Sequence, residues 1–183
     1  MKSLRGQLLI AEPRLPDSNF FRTVVLVIEH TDQGASGLIL NRPGSVQLSE
    51  IWGEVSETPL GRDETIFIGG PVQGPLAILH DQIDLAEQPL LDGLHLSMKR
   101  ENLNQLLADD SANIRVFSGY SGWGPGQLEH EMQVGGWLTW PAQPEHVFSD
   151  SQELYKSVCD SLGREILFGA SQPRHKPADP TLN

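Results

Sequence analysis

Residues 23–41 read TVVLVIEHTDQGASGLILN. From Thr23 to Ile28 every side chain is apolar or β-branched, which leaves no polar face for water, so the run reads as a strand buried on both sides. Thr31-Asp-Gln-Gly34 supplies a tight turn. Gly37–Asn41 then returns as a second strand, making a hairpin. Strands joined in this way need no crossover helix.

The same signals recur on either side. Leu8–Ala11 reads as a short strand, and Asp17 to Phe21 as a helix start with Asp17 and Ser18 as caps. A short helix begins at Leu48–Trp52. Thr65–Ile68 and Leu76–His80 read as strands around the loop Gly69-Gly70-Pro71-Val72-Gln73-Gly74. Leu90–Leu91 and Leu94–Met98 flank Asp92-Gly93, a hairpin signal. Between Lys99 and Ala108, Leu103, Leu106 and Leu107 share one helical face. Ile114–Phe117 is a strand, Gly119 to Gly126 a glycine-rich loop, Gln127–Gln133 a helix, and Gly136–Trp140 a strand. A last helix starts at Ser151 as N-cap and ends at Gly163 as C-cap.

Many strands with short turns and about four dispersed helices predict an α+β fold with a mixed, largely antiparallel sheet or partial barrel. Residues 1–170 form one domain, and 171–183 a fraying polar tail.

With 13 Lys+Arg against 24 Asp+Glu in 183 residues, the formal charge is −11. The basic residues are scattered, whereas a duplex binder presents a basic stripe to the phosphates. Direct DNA binding is therefore not expected. The single Cys159 excludes an internal disulfide and a cysteine-rich zinc site. The apolar run Leu8–Ala11 is too short for a signal-peptide core or a membrane span, so a reduced cytoplasmic setting is expected.

Four segments, in order, give the chain its resemblance: GQLLIAEPRLPDSNFFRTVVLVIEHTDQGASGLILNRP (6–43), FIGGPVQGPLAILH (67–80), RVFSGYSGWGPGQLEHEMQVGGWLTWPA (115–142) and VFSDSQELYKSVCDSLG (147–163). The chain resembles the AlgH/YqgE family of bacterial proteins. One departure is Ser121, where the pattern often has alanine. The resemblance implies a compact α+β fold and a regulatory label, and it carries over no reaction, cofactor or catalytic residue.

Several constellations bear on chemistry. The loop 119–127 runs from strand to helix and suggests an anion cradle, but it lacks a Walker lysine and GxGxxG spacing. A structural loop that lets Trp123 pack is the favoured reading, and Trp123 is the tryptophan expected to be exposed. Ser121 lacks the second glycine of a nucleophile elbow. Glu29-His30, His80-Asp81 and Glu129-His130-Glu131 set carboxylates beside imidazoles. However, HEMQV is not a zincin motif, and Glu29 and His30, neighbours on a strand, face opposite ways. No metal or cofactor is expected. Arg42 ends a strand and is read either as an anion fork or as the partner of an acidic side chain. Cys159 sits on the apolar side of its helix and is expected to be buried and inert.

The reading is a non-enzymatic binding or regulatory protein that uses a small ligand or a protein partner. Its recognition residues are Arg42, Gly69, Gly70, Pro71, Tyr120, Trp123 and Gln127, with the turn 41–43 and the two loops on one face. The alternative is a hydrolase using His30 or His130 with Glu29 or Glu131.

Overall fold

A computed structural model describes residues 3–12 and 18–169. The expected cap at Asp17 and the tail 171–183 lie outside the described residues.

The strands divide into two sheets rather than one. The first is antiparallel, in the order β10-β3-β2-β1-β11, from β1 (Gln7–Ala11), β2 (Val24–Thr31), β3 (Gly34–Ile39), β10 (Ser121–Trp123) and β11 (Trp137–Pro141). The second has the order β4-β5-β9-β6-β8-β7, from β4 (Pro43–Gln47), β5 (Thr65–Ile68), β6 (Ala77–His80), β7 (Gln88–Leu91), β8 (Leu94–Ser97) and β9 (Ile114–Ser118). Only β5–β9 is parallel.

Alternation along β2 explains the layering. Val24, Leu26 and Ile28 face the second sheet, where they meet Leu79, Leu94, Leu96 and Phe117. Val25 and Val27 face the other way, onto Phe20, Trp123, Trp137 and Leu128. The outer face of the second sheet is covered by α1 (Leu48–Val55) and α2 (Arg100–Ala108) through Leu48, Trp52, Leu103, Leu106 and Leu107. Leu128 belongs to α3 (Gln127–Gln133). Val147 of α4 (Pro144–Phe148), with Leu154 and Val158 of α5 (Ser151–Gly169), closes the core between the sheets.

Two helix boundaries differ from expectation. The helix α5 begins at Ser151, and the carboxylate of Asp150 accepts the Gln152 N–H, so Asp150 rather than Ser151 caps it. The helix also runs through Gly163 to Gly169, so Gly163 is an interior residue.

Candidate functional site

The loop after β5 is where the two sheets are tied together. The Gly69 carbonyl accepts from the Ile39 N–H at 2.9 Å and from the Ser121 hydroxyl at 3.1 Å, and its own N–H donates to the Ser118 carbonyl at 2.9 Å. Val72 and Tyr120 then exchange both backbone hydrogen bonds, at 2.9 and 3.0 Å, zipping loop 69–74 to loop 118–127. A Cβ on Gly69 would sit 2.3 Å from the Gly119 carbonyl oxygen, and one on Gly70 2.3 Å from Tyr120 carbonyl carbon and Ser121 nitrogen. These glycines are present because backbone crosses backbone.

Above this crossing the surface is open and mixes exposed apolar side chains with polar groups. Ile68, Val72 and Tyr120 are exposed. A hollow of about 410 Å³ is lined by Ile68, Gly70, Pro71, Val72, Gln73, Gly74, Ser118 and Gly119. A second cleft, of about 230 Å³, opens between the sheets beside it and shares Gly119; Tyr120 stands at its rim. Thus Gly69, Gly70, Pro71 and Tyr120 lie together in this region.

The other expected residues do not join them there. Trp123 is buried rather than exposed: it is 5% accessible, stacks against Phe20 at 6.0 Å and donates its indole N–H to Glu131. Gln127 donates to the same carboxylate at 2.9 Å, and Trp137 donates its own indole N–H to it at 2.8 Å. Arg42 reaches Asn19, donating to its carbonyl at 2.5 Å, rather than an acidic side chain. Only the Arg42 backbone carbonyl approaches the crossing, by accepting from the Ile68 N–H.

The residues read as catalytic candidates are engaged in structure. The His30 Nδ1 accepts the Leu4 N–H at 2.9 Å, which obliges Nε2 to carry the proton it shares with Glu129 at 2.8 Å. With both nitrogens used, this imidazole has no lone pair for a substrate. The start of α3 and this His30 contact hold the Glu129 carboxyl below its usual range. Glu131 is occupied by two indoles and an amide, and His130 is exposed. Ser121 is fully buried, with its hydroxyl donated to Gly69. In the loop read as an anion cradle, the Gly124 N–H already donates to the Gln127 side chain. Among the described residues, no three His, Cys, Asp or Glu side chains gather closely enough to hold a metal.

Cys159 is half-buried against the inter-sheet core rather than fully enclosed. Burial raises its thiol pKa, more than the Tyr155 hydrogen bond lowers it. No described helix is long and apolar enough to cross a membrane.

Two facing sheets locked by a glycine crossing, with paired loops displayed above it, define a small α+β class of protein. The pattern described as AlgH-like matches residues 8–167, and the chain belongs to that family. It is 36% identical over 200 residues to a UPF0301 protein of Streptomyces avermitilis, covering 100% of this chain and 97% of that one. A UPF0301 protein of Chlorobium luteolum is 42% identical over 176 residues, covering 92% of this chain and 90% of the relative. The solution structure of the AlgH protein from Pseudomonas aeruginosa superposes with a TM-score of 0.72 at 30% identity, covering 96% and 100% of the two chains. A crystal structure from Corynebacterium diphtheriae, at TM-score 0.71 and 24% identity over 86% of each chain, shares the fold.

Proposed function

We propose that this chain is a non-enzymatic, cytoplasmic binding protein that regulates through a small ligand or a protein partner at the Tyr120 surface. The observation that carries the reading is the junction at Gly119–Tyr120, where the two cavities meet between zipped loops. Concave, largely apolar surfaces with few polar groups are where ligands and partner side chains lodge. Pro71 and Tyr120 make the contact in this reading, with Gly70 lining it and Gly69 holding the loops in place. Trp123 and Gln127 act beneath it by fixing α3, and Arg42 by fixing the turn at Asn19. Any effect on transcription is indirect, since the charge of −11 opposes operator binding.

The hydrolase alternative has less to support it, because His30 and Glu131 have their polar atoms committed to neighbours.

The test compares native mass spectra of the full chain and of Tyr120→Ala, both purified from the source organism. A bound mass carried by the unmodified chain and lost from the variant, with circular dichroism unchanged, is the expected result. Identical spectra carrying no bound species, together with identical cross-linking profiles, would overturn the reading.

A further inference from the structure

Sequence alternation would send Glu29 to the face that Val27 occupies. A β-bulge prevents this. Val27 pairs with Gly37 and Glu29 with Ser36, which leaves Ile28 as the extra residue. Bulges of this kind re-aim the side chains that follow them. Here Ile28 and Glu29 both line the inter-sheet cleft, while His30 turns to the far side to meet Glu129.

The cleft has a consistent chemistry. Its floor is Ile28, Leu38, Ala77 and Leu96, all buried, and its rim is Met98 and Tyr120, both exposed. The Gln88 amide is spent on the Ile28 carbonyl at 3.3 Å. Neither the Glu29 carboxylate nor the Tyr120 hydroxyl has a hydrogen-bond or ion-pair partner among the described residues. Among the described residues no lysine, arginine or histidine lines the cleft, and Glu29 supplies the one formal charge there, a negative one. The volume of about 230 Å³ is room for roughly eight non-hydrogen atoms, at the ~30 Å³ that a water molecule occupies in the liquid.

We propose that this cleft binds an apolar small molecule bearing an ammonium group, with its body on the Leu38–Leu96 floor and its cation against Glu29. The inference rests on the reading of the Tyr120 surface as a binding site and names the ligand class. An apolar body gains from leaving water, and a carboxylate at the edge of a low-dielectric wall attracts a cation more strongly than one in bulk water does. An anionic ligand would meet Glu29 with nothing to compensate it.

The experiment follows backbone amide resonances of the full chain with four probes: 2-phenylethylammonium, 2-phenylethanol, 3-phenylpropionate and n-butylammonium. The expected result is that the phenylethylammonium ion shifts Glu29, Ser36 and Tyr120 and binds at least ten-fold more tightly than the alcohol, with no response to the carboxylate. Glu29→Gln, an exposed conservative change, should reduce the ammonium probe to the level of the alcohol and leave the alcohol unchanged. Equal binding of alcohol and ammonium, or indifference to Glu29→Gln, overturns the ligand class while the cleft shifts keep the binding reading intact. Tighter binding of n-butylammonium, the shape of a lysine side chain, reassigns the cleft to a partner protein's lysine and overturns the small-molecule proposal. No cleft shift from any probe at millimolar concentration also overturns it, and the native mass spectra decide separately whether the Tyr120 surface binds anything.

Discussion

His80 and His95 face each other across the β6–β8 pair, with ring centroids 5.8 Å apart, and both are buried. The Ser97 hydroxyl has one proton, which the Leu85 carbonyl accepts, so the contact from His80 Nε2 at 3.0 Å must be an N–H donated to Ser97. Nδ1 of His80 is then a bare acceptor without a hydrogen-bond partner. Protonating it would place a charge in dry surroundings beside a second imidazole. Burial first, and His95 second, push the His80 pKa down to about 4, against the pull of Asp81 and Glu87. Below pH 6.5 the unfolded chain therefore binds a proton that the native chain refuses. Stability is unaffected above that pH, falls as pH drops from 6.5 to about 4, and levels off beneath, for a total of about 3 kcal/mol. His146, also lowered by burial, adds in the same direction. His80→Gln keeps a donor for Ser97 and removes the titration. Urea midpoints measured from pH 7.5 to 4.5 should decline less steeply in the variant; parallel curves would refute the assignment.

At the level of elements, the hairpin from Thr23 to Asn41 was legible because turn chemistry and an unbroken apolar run agree. The division into two sheets was not, since β-alternation gives faces but never partners. The edge strands β4 and β10 were hidden for a related reason: PGSVQ and SGW carry turn-forming residues, and only pairing with Phe67 and Thr65, or with Ala35 to Gly37, makes them strands. The Gly69–Gly70 motif shows in the sequence as a surface loop, but its part in the sheet crossing does not, because the crossing depends on which strands meet. The Ile28 bulge leaves no compositional mark at all. Gly163 carries a local helix-end signal that the helix does not obey. The helix runs past it to Gly169, and its preceding turns are anchored by Leu154 and Val158 in the core and by the Tyr155 hydroxyl, which donates to the Ala11 carbonyl at 2.9 Å. A Cβ at Gly163 would meet nothing within 4 Å. Gly163→Ala should therefore stabilise the protein by about 0.5–1 kcal/mol and raise Tm by about 1–4 °C. A fall in Tm by calorimetry would restore a helix end at this residue.

For the whole molecule, charge decides more than any single contact. An excess of 11 negative charges repels a polyanion at long range, so binding a duplex would require a local basic face strong enough to outweigh it. Four arginines among the described residues are occupied differently. Arg22 lies over the Phe21 ring at 5.3 Å and Arg42 is spent on the Asn19 carbonyl, while Arg62 pairs with Glu64 at 2.6 Å. Arg115 is half-buried over Phe67 and gives its protons to the Leu40 and Ser149 carbonyls. The Asn41 amide donates to the Arg22 carbonyl, which brings the Arg22 backbone near the turn that carries Arg42, but two guanidinium groups neutralise at most two phosphates. Counterion release from two contacts supplies little affinity, and at near-physiological salt it falls well short of a specific complex. Electrophoretic mobility of labelled duplexes with the full chain at 150 mM salt, a concentration where the Debye length is about 8 Å, should therefore show no shift at micromolar protein. A submicromolar complex that survives competitor DNA would mean that a basic face forms elsewhere.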